Sequence, residues 1–127
     1  MTTLGQIIGI GLAGAIGTLA RFGVNQLSQQ LFGQHPWGTV FVNLFGCLVF
    51  GFLAAFFMAE KLPAYYRVIL LTGFLGGFTT FSAYAFEIAD FFEKDRYFAA
   101  MGHFCLQNIG GVLAVFAGLV FGRFLVA

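Results

Sequence analysis

The stretch Thr72-Gly-Phe-Leu-Gly76-Gly-Phe-Thr-Thr80-Phe-Ser-Ala-Tyr84-Ala-Phe-Glu87 decides how this chain is to be read. It is apolar enough to lie in a bilayer, yet it carries adjacent glycines at Gly76 and Gly77, hydroxyls at Thr79, Thr80 and Ser82, and a carboxylate at Glu87. Glycine in a helix interior costs about 1 kcal/mol relative to alanine. Lipid cannot satisfy freed backbone groups, so a helix that unwinds around Gly76 to Thr80 must do so where the exposed carbonyls and amides line a protein cavity. A binding site at membrane depth is the expectation.

Working outward, 60% of the 127 residues are hydrophobic and only 9% are charged, with a mean hydropathy of +0.92. Soluble domains carry about 25% charged residues, and a water-soluble chain of this size has no means of hiding so much apolar surface. Residues 1–127 are expected to form a single four-span transmembrane domain. The six basic residues are scattered and make no stripe, so no nucleic-acid partner is expected. Cys47 and Cys105 lie in separate apolar runs without ligand spacing and are read as reduced, buried cysteines.

Charges and turn residues divide the chain into spans from about Leu4 to Leu31, Thr39 to Met58, Tyr65 to Ile88, and Tyr97 to Val126. Each is long enough to cross a bilayer, which needs about 20 residues. No basic region precedes the first span, so it is expected to remain as a helix and not to be removed as a signal peptide. Gly5, Gly9, Gly11, Gly14, Ala15 and Gly17 mark that helix for close packing.

Four spans place Lys61, Arg67 and Arg123 on one side and Lys94 and Arg96 on the other. So slight a bias orients a chain only weakly. Dual topology is therefore expected, with oppositely inserted copies pairing as an antiparallel homodimer.

Several polar residues sit where lipid would not tolerate them alone. Arg21 is the one charge of the first span; it either snorkels to the interface or forms an electropositive vestibule. Asn43 must find a partner on a neighbouring helix, and its amide also offers two N–H donors to a dehydrated anion. His103 and Gln107 share one face of the fourth span, with Asn108 just beside it. Phe81 and Tyr84 share a face of the segment that follows the glycines, and ring edges carry partial positive charge. At an opening in the third span, carbonyls suit a hard cation, while the start of the next half-helix favours an anion.

These residues carry a resemblance. The run GFLGGFTTFSAYAFE, with Trp37-Gly-Thr-Val-Phe-Val-Asn43-Leu-Phe-Gly46 and Gly14-Ala-Ile-Gly-Thr-Leu-Ala-Arg21-Phe, resembles the fluoride channel family known as Fluc or CrcB, and does so over essentially the whole chain. The resemblance implies an all-α membrane channel with a broken third helix, built as an antiparallel dual-topology homodimer with two pores near the subunit interface. It implies a cell-membrane protein, in the inner membrane of a Gram-negative source, that lets fluoride leave the cell and so lowers its toxicity.

It further implies a central, structural sodium ion that is not transported, held by backbone carbonyls of both copies at positions matching Gly76 and Thr79. Fluoride would meet Asn43, Phe81 and Tyr84, with Thr80, Ser82, His103 and Gln107 as further pore groups, and with Arg21 and Glu87 as vestibule or structural charges. The chain departs from the family at Tyr84, where phenylalanine is usual; the added hydroxyl either donates to fluoride or bonds elsewhere and turns the ring edge away. The polar row on the fourth helix also stops early, passing from His103 and Gln107 to Gly111 and Val115, so lower throughput is expected.

A small proton-coupled multidrug exporter of dual topology is the competing reading, but the first span has no acidic residue to carry the proton. A purely structural subunit leaves the polar residues of the third span unexplained. No nucleophile–base pair or metal cluster points to an enzyme.

Overall fold

A computed structural model describes residues 2–127. Helix α1 spans Leu4–Phe32 and α2 spans Trp37–Met58. The third span is composite: α3 covers Tyr65–Arg67, a π-helical stretch covers Val68–Leu75, α4 covers Gly76–Phe78, and α5 covers Phe81–Glu93. Helix α6 closes the chain at Tyr97–Val126. Four segments are thus long and apolar enough to cross a membrane. The shortest, α2 with 22 residues, is about 33 Å long at 1.5 Å per residue, against a hydrocarbon core of about 30 Å.

Local chemistry sets the ends. Thr3 caps α1 by accepting from the Gln6 amide at 3.2 Å, while the Gln6 side chain accepts from the Thr3 amide at 3.1 Å, a reciprocal capping box. Gly33, at φ 70, ends α1 in a conformation open to glycine. The third span continues to Glu93, beyond the Ile88 limit read from the sequence. Charge at Asp90 marks water and not the end of the helix, because Lys94 pairs with Asp90 one turn away at 2.7 Å.

Helix α2 packs along α6, and α1 packs against the π-helical stretch and α4. Both contacts use glycine to bring backbones together. A Cβ on Gly51 would overlap the Val115 carbonyl, and one on Gly118 would overlap the Leu48 carbonyl, so α2 and α6 interlock reciprocally. Likewise Gly17 lies against the Phe74 carbonyl and Gly77 against that of Gly14. Gly11, expected to pack, has nothing within 4 Å of a Cβ built there.

The interior is thin: Val42 is the largest fully buried side chain, whereas Phe98 is 97% and Phe124 78% exposed. In water this surface would aggregate; in lipid it is the solvated face, and close packing rather than apolar burial holds the helices together. Gln6 Nε2 donates to the Tyr65 carbonyl at 3.2 Å, tying the starts of the first and third spans at one membrane face.

Candidate functional site

The departure from helical geometry falls at Thr79 (φ −86, ψ 159) and Thr80 (φ −150, ψ 118), not at the glycines; Gly76 keeps helical angles of −62 and −36. Asn43 of α2 supplies the reason. Its Oδ1 accepts from the Thr80 amide at 2.8 Å and its Nδ2 donates to the Thr80 carbonyl at 3.0 Å, so one side chain replaces both helical partners of Thr80. Extended angles also suit a β-branched residue. The Thr80 hydroxyl then caps α5 by accepting from the Ala83 amide at 3.2 Å.

Asn43 also donates to Gln107 Oε1 of α6 at 2.7 Å. Both amide protons of Asn43 are therefore spent on protein, and the donors expected to face an anion are not free there. The opposite amide orientation would set oxygen against the Thr80 carbonyl and Gln107 Oε1, so the network fixes this one. Gln107 consequently turns its Nε2 away from Asn43, where it is buried with no hydrogen-bond partner among the described residues. The amide donor left over belongs to Gln107.

Asn43, Thr80, Phe81, Tyr84 and Gln107 border one open cleft of about 500 Å³, and Gly76 and Thr79 border it too. Phe81 is 76% exposed at the cleft while Tyr84 is 6% exposed; their ring centroids lie 5.5 Å apart, tilted at 57°. The Tyr84 hydroxyl is engaged: Asn108 Nδ2 donates to it at 2.6 Å. Further along α6, Val115 borders the cleft without a polar group.

The carbonyls at the turn are released by the same network. In a continued helix the Thr80 amide would return to the Gly76 carbonyl and the Ala83 amide to that of Thr79; here they go to Asn43 Oδ1 and to Thr80 Oγ1. Gly76 and Thr79 thus each present a carbonyl oxygen deprived of its helical donor, which suits a hard cation. Between them, Gly77 is served differently, because Arg21 Nε donates to its carbonyl at 2.9 Å.

Other candidates lie apart. Ser82 is exposed, its hydroxyl 3.4 Å from that of Thr80. Glu87 accepts from the Thr39 hydroxyl of α2, leaving Oε2 buried and unpartnered among the described residues. His103 sits among rings, 5.4 Å from Trp37 and 5.0 Å from Phe91 by centroids, away from the cleft wall. Thr39 and Asn108 bond to candidate residues, although neither stands out as a site residue by spacing. Asn108 is a strongly polar residue in an apolar span, which is the signal that would have found it.

Residues 8–119 match the family model described as CrcB-like protein, Camphor Resistance (CrcB). The chain belongs to the CrcB family. It is 45% identical over 118 residues to the fluoride-specific ion channel FluC of Solidesulfovibrio magneticus, covering 90% of this chain and 93% of that one. It is 42% identical over 118 residues to the FluC of Paracoccus denitrificans, covering 93% and 94%. The FluC of Dehalococcoides mccartyi is 36% identical over 124 residues, covering 96% and 95%. These CrcB relatives are named as ion channels and not as enzymes. With four apolar spans, this CrcB member is a multi-pass membrane protein.

Proposed function

We propose that the chain is a fluoride-specific ion channel, which lets fluoride leave the cell down its gradient. The observation that carries the reading is the cleft itself: an open cleft between apolar spans that Gln107, Phe81 and Tyr84 all border, with Gln107 Nε2 a buried donor without a protein partner among the described residues. Relatives at up to 45% identity bear that name over nearly their whole length.

Fluoride is small and tightly hydrated, so passage requires weak donors that replace water and still release the ion. An amide proton and ring edges meet that need without a fixed positive charge that would trap the anion. Chloride is larger and gains less from the same close contacts. Asn43 acts by orientation: it holds Gln107 Oε1, which leaves the buried Nε2 as the donor without a partner among the described residues, and it holds Thr80 extended.

The finer architecture belongs to the same proposal. The extended Thr79 and Thr80 support reading the third span as a broken helix. The exposed Gly76 and Phe81 leave that surface to a second, oppositely inserted copy, forming an antiparallel homodimer with two pores. The Gly76 and Thr79 carbonyls of both copies would hold a structural sodium ion, which would supply a fixed positive charge joining the two breaks.

Purified protein in liposomes tests the reading, with fluoride and chloride efflux followed by ion-selective electrodes. Fluoride efflux with chloride retained is the expected result. Equal flux of both ions, or none of either, overturns it.

A further inference from the structure

Tyr84 and Asn108 form a donor relay with only one possible direction. Asn108 Nδ2 donates to the Phe104 carbonyl at 2.8 Å and to Tyr84 Oη at 2.6 Å. Both protons of its amide nitrogen are committed. Turning the amide over would set Oδ1 against the Phe104 carbonyl, acceptor on acceptor, so the side chain is locked as a donor. The Tyr84 oxygen must therefore accept, and its own proton must point elsewhere. Among the described residues, Tyr84 Oη donates to no protein group, while the cleft that Tyr84 and Asn108 both border lies open beside it.

We infer that Asn108 is a positioning residue for anion passage: by donating to the Tyr84 oxygen, it leaves the phenolic proton the cleft alone to donate to. The assignment rests on the anion-channel reading above. Its consequence is a second donor, on α5, at the same cleft that Gln107 of α6 borders. An oxygen that accepts from an amide is polarised, and its own O–H becomes the stronger donor. The preferred ligand is a small, hard monoanion, since only a compact acceptor draws full benefit from a short O–H contact. On α6 the cleft is bordered by Gln107, Asn108 and Val115, and with both Asn108 amide protons committed the Tyr84 hydroxyl supplies a donor that Asn108 does not.

The experiment is a double-mutant cycle in liposomes, reading fluoride and chloride efflux for the full chain, Asn108→Ala, Tyr84→Phe and the double variant, each first checked for monodispersity. Asn108→Ala is expected to lower fluoride efflux about tenfold when Tyr84 is present, the scale of a hydrogen bond to a charged group. In the Tyr84→Phe background the same change is expected to alter efflux less than about twofold, because no hydroxyl remains to aim. A merely structural Asn108 would lower efflux equally in both backgrounds, and that result overturns the assignment; so does full efflux in Asn108→Ala. If Asn108→Ala does not yield monodisperse protein, Asn108→Leu, which keeps the volume and removes the donor, takes its place in the cycle, and equal losses or full efflux overturn the assignment there too. An unsubstituted chain that passes no fluoride overturns the channel reading itself, whereas a conducting one with equal losses overturns Asn108 alone.

Discussion

Arg21 on α1 donates through Nε to the Gly77 carbonyl at 2.9 Å, across 56 residues of sequence. The one charge of the first span is thus tied to the third span by a hydrogen bond. It holds the last turn before the extended Thr79, at a helix end where carbonyls need donors and favour positive charge. Arg21→Gln keeps some polarity and loses the charge-assisted bond, which is worth about 1.5–3 kcal/mol. A lower Tm in detergent and reduced fluoride efflux are expected; unchanged values of both would remove Arg21 from the site.

Asn43 satisfies three separate groups, the Thr80 amide, the Thr80 carbonyl and Gln107 Oε1. Asn43→Ala strands all of them, at about 1–3 kcal/mol for each that finds no water. Fluoride efflux is expected to fall by more than about tenfold. Asn43→Asp retains the bond from the Thr80 amide but faces two acceptors with a third, and is expected to be no better. Full efflux in either variant would contradict the hub.

Reciprocal glycines predict a steep packing penalty at α2 and α6. Gly51→Val and Gly118→Val each drive a side chain into a facing carbonyl, and overpacking costs about 1–3 kcal/mol or more. Loss of monodisperse protein on size exclusion is expected for both. Gly11→Ala is the control: nothing lies within 4 Å of its Cβ, so a stability change within about 0.5 kcal/mol is expected.

Sodium removal tests the carbonyl pair at Gly76 and Thr79. Replacing sodium by N-methylglucamine on both sides of the membrane is expected to abolish fluoride efflux and lower the Tm, with restoration on adding sodium back. Efflux indifferent to sodium would leave these carbonyls without a cation role.

Weak charge asymmetry predicts both orientations in one membrane. A cysteine placed after Ala127 is expected to label with an impermeant reagent in about half of the molecules in sealed vesicles. Uniform labelling, or none, would mean a single topology.

Much of this was legible in residue order. Spans, turns and the polar third segment follow from hydropathy, because a bilayer imposes helices of fixed minimum length. Asn43 and Gln107 stood out as polar residues in apolar spans, Phe81 and Tyr84 as aromatic residues beside the glycines and hydroxyls of the third, and all four border one cleft. His103 stood out equally and lies in an aromatic cluster, since helical spacing gives its face but not what occupies that face. The third span also contains a π-helical stretch at Val68–Leu75 that no side-chain pattern announced.

Sequence alone determined that the chain is a four-span membrane protein and that its third span is the unusual one, because both are properties of local composition. Where helical angles are lost was decided by tertiary structure. The glycines weaken the helix, but Asn43, distant by 37 residues, takes the Thr80 hydrogen bonds and moves the departure to Thr79 and Thr80. The same holds for which donors remain for an anion: Asn43 spends its protons on protein, Gln107 retains one group, and Asn108 commits the Tyr84 oxygen as an acceptor. Hydrogen bonding is a pairwise accounting across helices, and the sum exists only once the helices are packed.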